Sequence, residues 1–302
     1  MSPTASEAAG DGRDTDASLD IAVLEFQARV IGPSDIIAAF RELYPVPPDW
    51  TVARGAEIAE AEGVPVFSVQ RAPDGTAVVH VEGHGGTQAT IDVGAELQAT
   101  LEWAIASVAV DVLGEGYLLL HAAVVARGGQ AILLPAGSGS GKSTLAAGLA
   151  AEADFALGSD EVAVIDPLSL EVLPFVRGIC VKEGSRVPLA PAYPSILTDT
   201  PHYRFGGEEV WYLCPPSVTW LPAPTPVRSV VVPRYVKDAE TRLEPLSRSS
   251  TLQILLQQSF SVPKHGSFGI GTLTDLLQDV ECYRLTFNSL DEAIRLLRDL
   301  AS

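Results

Sequence analysis

Three glycines between an apolar run and a lysine carry the strongest chemical signal in this sequence. Ala136 to Ser143 reads Ala-Gly-Ser-Gly-Ser-Gly-Lys-Ser, the spacing of a phosphate-binding loop with Ala at a position where Gly is more usual. Gly137, Gly139 and Gly141 allow backbone angles that a Cβ forbids, so successive N–H groups can turn inward and cup phosphate oxygens. Ser138, Ser140 and Thr144 belong to the same cradle. Lys142 is placed to put its charge on β- and γ-phosphates, and the Ser143 hydroxyl to ligate Mg²⁺. A Gly/Ser linker has a similar composition but not these flanks. Ile132-Leu133-Leu134 has the continuous apolar character of a buried strand, and Leu145, Ala146, Leu149 and Ala150 recur at helical spacing.

One helix further on stands an acidic pair, Asp160-Glu161. A carboxylate beside bound phosphate can take a proton from a hydroxyl or hold the metal; away from such a loop it is more often a strand-end cap. His121, one strand earlier, reads either as a partner of that pair or as a satisfied core histidine. Arg177 reads as a solvated charge, and Lys182 equally as a surface charge or a nucleotide contact. His202, Arg204 and His265 fall in expected loops and read as surface residues. The histidines are not at ligand spacing, so a metal site built from them is not expected. Trp211, Tyr212 and Trp220 read as packing residues, which leaves the base pocket unassigned.

These groups need elements to hold them. Tyr117 to Ala126 predicts a buried strand that turns through Arg127-Gly128-Gly129 into the loop's own strand, and Phe155 to Pro167 predicts a strand with the acidic pair set in it. Asp92 to Leu113 has a helical apolar face, with Asp92 as N-cap and Gly114 as stop. Upstream, one strand from Ile21, a helix over Ser34 to Leu43 closed by Pro45-Val46-Pro47-Pro48, and strands at Val64 to Val69, Thr76 to Glu82 and Thr87 to Asp92 make a β-rich unit. Downstream, Leu173 to Lys182 reads as a strand, Glu183 to Tyr212 as a long loop over the site, and Ser229 to Pro233 as a strand. Ser249 to Phe260 reads as a helix, Tyr283 to Phe287 as a strand and Leu290 to Leu300 as a helix with a Ser289–Glu292 capping box. The expected division is a disordered acidic tail over 1–19, the β-rich unit over 20–91 and a loop-bearing domain over 92–302.

Composition sets outer limits. Of 302 residues 47% are hydrophobic, too many for a disordered chain, yet no run is long enough to span a bilayer. The amino terminus lacks the features of a secretory signal, and three scattered cysteines outside any CxxC pattern fit a reducing cytoplasm. A net charge of −18 opposes nucleic acid and anionic membrane, and favours a neutral or basic acceptor over a polyanionic one.

The segment from about Tyr117 to Ser185 resembles the catalytic domain of HPr kinase/phosphorylase and, more closely, HPr-kinase-like serine kinases that modify ribosomally made peptides, lasso peptides among them. The resemblance rests on Leu120-His121-Ala122, on Ser138 through Thr144, and on Ser159-Asp160-Glu161 following after a single helix. It implies an α/β fold of the P-loop type shared with phosphoenolpyruvate carboxykinase, carrying here a small β-rich amino-terminal unit. It also implies an ATP- and Mg²⁺-dependent kinase acting on a serine of a peptide or small protein, and often a homo-oligomer. Carried over residue by residue, Asp160 is the expected general base, and Glu161 is assigned to the metal or its water shell. A shifted register would instead put Ser159-Asp160 in the pair's place, so Asp160 also stands among the metal ligands with Ser143. Lys142 and His121 complete the catalytic set, and Lys182 joins the nucleotide contacts. Arg177-Gly178-Ile179 only partly echoes the family's glycine-rich signature, and the amino-terminal section does not match that of the HPr enzyme. Both departures point away from HPr as acceptor and from phosphorylase activity. A small-molecule hydroxyl kinase and a non-catalytic ATP-binding regulator remain the alternatives.

Overall fold

A computed structural model describes residues 16–41, 43, 63–72, 76–83, 89–92, 96–204, 207–214 and 219–300. The first fifteen residues of the expected tail and the Pro45-Val46-Pro47-Pro48 cluster lie outside the described residues. Among the described residues the architecture is mixed α/β, with three sheets.

The amino-terminal sheet opens with a hairpin of β1 (Asp16–Val23) and β2 (Phe26–Pro33). This corrects two expectations: the strand begins inside the predicted tail, and the single strand from Ile21 is two. The turn between them holds Leu24 at φ 53°, a conformation leucine seldom adopts, so no turn residue announces it. Along both strands burial alternates, as a sheet with one covered face requires. The cover comes from α1 (Ser34–Arg41), which buries Ile36, Ile37 and Phe40. Then β3 (Val66–Arg71) joins parallel to β2, and β4 (Ala77–Glu82) and β5 (Ala89–Asp92) follow antiparallel. Asp92 ends β5 and is not a helix cap; α2 (Leu97–Leu113) starts after Glu96 and stops at Gly114 as expected.

Helix α2 lies between layers. Leu101, Ile105, Ala109 and Leu113 share one core with Phe26, Phe40 and Phe67 of the first sheet and with Leu119, Val162 and Val164 of the next. Truncating Leu101 or Ile105 to Ala would cost about 2–5 kcal/mol. This seam fixes α2, and with it Glu102 and Trp103, beside the larger sheet.

That sheet begins with β6 (Leu118–Arg127) and β7 (Gln130–Pro135), an antiparallel hairpin of nearly continuous buried residues. After α3 (Lys142–Ala150) come β8 (Ala156–Ser159) and β9 (Val162–Ile165), both antiparallel to β6 and interrupted only at the acidic pair. The strand expected at Leu173 to Lys182 is two pieces in different sheets. These are β10 (Glu171–Leu173), which pairs with β9, and β11 (Ile179–Lys182). The expected long loop from Glu183 contains α4 (Arg186–Leu189), two 3₁₀ turns and a hairpin of β12 (His202–Arg204) and β13 (Glu208–Leu213) that extends β11. Two-residue β14 (Thr219–Trp220) pairs with β8, and β15 (Thr225–Tyr235) runs parallel to β7 and pairs with β10. The pairings therefore close a ring from β6 through β9, β10, β15 and β7 back to β6. Outside it lie β16 (Arg242–Pro245), α5 (Arg248–Gln257), α6 (Val262–His265) and α7 (Ser267–Leu276). Last come β17 (Glu281–Phe287), parallel to β15, and α8 (Leu290–Leu300), which packs Ala293, Ile294 and Leu297 towards α3.

The topology sorts the site into flanks. Strands β15 and β17 run parallel to β7, so their carboxyl ends emerge beside the glycine-rich loop, while β6, β8 and β9 bring His121, Asp160 and Glu161 to its other side.

Candidate functional site

Between β7 and α3 the glycine-rich loop turns through Gly139 (φ 81°) and Gly141 (φ 86°). Gly141 caps α3, and a Cβ there would stand 2.7 Å from Phe287 Cζ, so this position needs glycine for space as well as angle. With no side chain capping the helix, the first-turn N–H groups face outward at its positive end. The loop is anchored on three sides. The Tyr235 N–H donates to Ser140 O (2.8 Å), Thr144 Oγ1 meets Ser185 Oγ (2.6 Å), and Lys182 Nζ donates to Ser138 Oγ (3.0 Å) while pairing with Glu208 (2.6 Å). Lys182 thus reaches the cradle that sequence left open to it. The loop, Lys142 to Thr144, His121, Glu161 and Lys182 all border one cavity of about 810 Å³.

Lys142 is buried, and its Nζ donates to Asp160 O (3.0 Å) and Glu161 Oε2 (3.2 Å). The break between β8 and β9 aims the two carboxylates differently. Asp160, 1% exposed, turns inward, where Oδ2 accepts the Cys180 N–H (3.1 Å) and Oδ1 has no hydrogen-bond partner among the described residues. Glu161 turns towards the cavity, and its Oε2 meets His121 Nε2 at 2.7 Å. His121 is fixed in turn by Gln258, whose Oε1 lies 3.1 Å from Nδ1 and whose carbonyl accepts the His121 N–H at 2.6 Å. Ser159 Oγ accepts the Val162 N–H (3.1 Å) and so closes the break; of the acidic pair, the residue that borders the cavity is Glu161.

Their surroundings split the pair electrostatically. Burial drives the Asp160 carboxyl up to about 6 against the pull of Lys142, with the Glu161 charge adding to the rise. Burial works on Glu161 too, but there the His121 hydrogen bond and the Lys142 charge prevail and hold its carboxyl down at about 2. Cys180 borders the same cavity, and burial pushes its thiol up to about 11, so it is a neutral thiol and not a nucleophile.

A second cavity, about 780 Å³, shares His121, Glu161 and Arg204 with the first. Its floor carries Arg177, which is buried against Glu102 of α2 and is not the solvated charge expected from sequence. Trp103 of α2 and Phe260, whose ring lies 5.9 Å from that of His121, stand on its rim. Arg204 was read as a surface residue and instead sits where the two cavities join. On the loop's other flank the first cavity is bordered by Tyr235 (48% exposed), Phe287, Asn288 and Leu290, from the ends of β15 and β17 and the start of α8. Trp211 packs in the core beneath Arg186, as expected of it, and His202 and His265 border neither cavity.

These residues suit a nucleotide and its metal. The open backbone cradle, the helix end, Lys142 and Lys182 match a polyphosphate. Mg²⁺ takes a few protein oxygens and keeps water and phosphate as its other ligands, and the Ser143 hydroxyl at the cavity, with the buried Asp160 carboxylate it meets behind it, offers such oxygens. Neither a scan of protein-family models nor a search of curated proteins returns a match for this chain.

Proposed function

We propose that this protein is a kinase that moves the γ-phosphoryl group of ATP to a hydroxyl, the serine of a peptide or small protein being the acceptor that the resemblance implies. The single observation that carries the reading is the convergence of the glycine-rich loop, Lys142, the acidic pair and His121 where a second cavity opens onto the first. Bound ATP and Mg²⁺ would supply the transferable phosphoryl group and the cation that neutralises its charge. Gly137 to Thr144 and Lys182 would hold the phosphates, and Ser143 the metal, with the buried Asp160 carboxylate behind it.

The proton-accepting role falls to Glu161 with His121 in place of Asp160. Geometry supports this reading before acidity does: Asp160 borders neither cavity, whereas Glu161 borders both. The low position of the Glu161 carboxyl fits as well, because Lys142, one of the groups that hold it down, is also the residue placed for the phosphates. Phosphate that engages Lys142 relaxes its hold and leaves the carboxylate more basic. The acceptor hydroxyl would give its proton to Glu161 as its oxygen bonds to phosphorus and ADP departs.

The test is incubation of the full chain with γ-labelled ATP and serine peptides, read by mass spectrometry, beside ATP binding by calorimetry. The expected result is site-localised phosphoserine, lost in Lys142→Ala together with most ATP affinity. ATP binding without any release of ADP would defeat the reading and leave a nucleotide-sensing role.

A further inference from the structure

The grip on His121 carries the site one layer further out, and the inference rests on the kinase reading above. Strand β6 pairs with β9 from Leu118 to His121, but its pairing with β7 begins only at Ala122, so the other edge of that stretch needs partners of another kind. They come from Gln258 to Ser261, the turn between α5 and α6. The Phe260 N–H donates to Leu119 O (2.9 Å), the Leu119 N–H to Ser261 Oγ (2.8 Å) and the His121 N–H to Gln258 O (2.6 Å). None of these ties uses the Gln258 side chain. That side chain goes to the His121 ring instead, with Oε1 3.1 Å from Nδ1.

What this bond does follows from the other ring nitrogen. Nε2 lies 2.7 Å from Glu161 Oε2, and an ionised carboxylate only accepts, so His121 donates to Glu161. A ring bonded on one side alone can still swing; a second bond at Nδ1 fixes its plane. Glu161 Oε2 has two donors, His121 Nε2 and Lys142 Nζ (3.2 Å). In the reaction proposed above, phosphate engages Lys142, which leaves His121 as the donor that directs the carboxylate. From then on the aim of Glu161 depends on the ring, and the ring depends on Gln258.

We propose that Gln258 is a positioning residue for phosphoryl transfer: by holding His121 through Nδ1, it keeps the Glu161 carboxylate aimed at the acceptor hydroxyl once phosphate has engaged Lys142. Gln258 borders neither cavity, so it acts through His121 and not on a substrate. The fold does not depend on its amide, because the turn is tied to β6 by main-chain groups and Ser261. Loss of the amide should therefore slow the transfer step and leave nucleotide binding and stability as they are.

Gln258→Met tests this, since it keeps the length of the side chain and removes the amide. With the full chain, saturating Mg²⁺-ATP and a mixture of serine peptides, ADP release should fall by about 10- to 100-fold, the scale of a misaimed reacting group. KM for ATP and the thermal unfolding midpoint should stay at the parent values. Gln258→Glu keeps an oxygen at the same reach and should recover most of the rate, while Gln257→Met, at the exposed neighbouring position, should change nothing. Added to His121→Phe, Gln258→Met should cost no further rate, because the amide acts only through the ring. Heteronuclear NMR of the imidazole nitrogens reads the contact without turnover, and the Nδ1 resonance of His121 should move in Gln258→Met and stay in Gln257→Met. Parent-like ADP release by Gln258→Met overturns the proposal, as does a loss that appears in KM for ATP or in stability, or one that persists undiminished beside His121→Phe. No ADP release by the unaltered chain defeats the kinase reading itself, and the positioning role with it.

Discussion

The first cavity takes most of the groups proposed to face phosphate from Gly137 to Thr144, one unbroken segment, whereas the second collects Trp103 from α2, Arg177 from the β10–β11 connection, Arg204 from β12 and Phe260 from the turn after α5. A phosphate chain is the same in every nucleotide, so a local backbone device can grip it and leave a spacing that can be read in sequence. An acceptor has a shape of its own, and its site is assembled by tertiary packing. The contrast is greatest at their shared wall, where Glu161 belongs to both. Glu161→Gln keeps the shape of the side chain and removes the proposed proton acceptor, so transfer should fall by about 10²–10⁴ while ATP affinity changes little, as single-turnover rates beside calorimetry will show. Transfer that survives this change would return the base role to Asp160.

The floor of the second cavity predicts a loss of a different kind. Arg177 and Glu102 form a buried ion pair that ties α2 to the loop before β11. Removing one charge leaves the other buried without its partner, so Glu102→Gln should cost about 3–5 kcal/mol in denaturant unfolding. The double change Glu102→Leu with Arg177→Met should recover most of it. A Glu102→Gln protein as stable as the parent would show that the pair is not the clamp on α2.

Asp160, buried behind the first cavity, adds a pH test. Its folded carboxyl is raised to about 6, above the unfolded value of about 3.9, so the folded state holds its proton more tightly. The stability this contributes is complete below pH about 4 and is lost as pH rises through 6. Asp160→Asn should therefore be more stable than the parent by about 1–3 kcal/mol at pH 7, with the difference vanishing towards pH 4. Thermal unfolding over pH 4–8 measures it, and a destabilised variant at pH 7 would refute the raised, buried carboxylate.

Legibility in the sequence follows the same division. Strands β6 and β7 and helix α3 were readable because a buried strand is one apolar run and the cradle is a fixed glycine spacing. The β1–β2 turn was not, because Leu24 makes it without glycine, asparagine or proline. Helix α7 escaped because Gly269 and Gly271 lie inside it. The acidic pair could be found, but its division of labour depends on which way two adjacent side chains point. Arg204 left no signal at all. Its place between the cavities comes from β12 pairing with β13 and then lying against α2, a contact between segments about a hundred residues apart.

The smallest effects discriminate best between the cavities, because they come from residues proposed to hold substrates without touching the reacting atoms. Tyr235 stands at the end of β15 beside the glycine-rich loop, half-exposed, with Phe287 edge-on at 5.8 Å; Trp103 stands on the rim of the other cavity. If the base of the nucleotide lies on the Tyr235 flank and the acceptor on the Trp103 flank, each truncation should raise one Michaelis constant and spare the other. Tyr235→Ala should raise KM for ATP by about tenfold, the scale of one aromatic stacking contact, and leave the affinity for inorganic tripolyphosphate unchanged. Trp103→Ala should raise KM for the peptide by a similar factor and leave that for ATP as it was. Initial-rate kinetics in both substrates, with tripolyphosphate competition, gives all four values. Two variants that raised the same constant would mean that both aromatics serve one ligand, and the division of the site into a donor flank and an acceptor flank would fall with them.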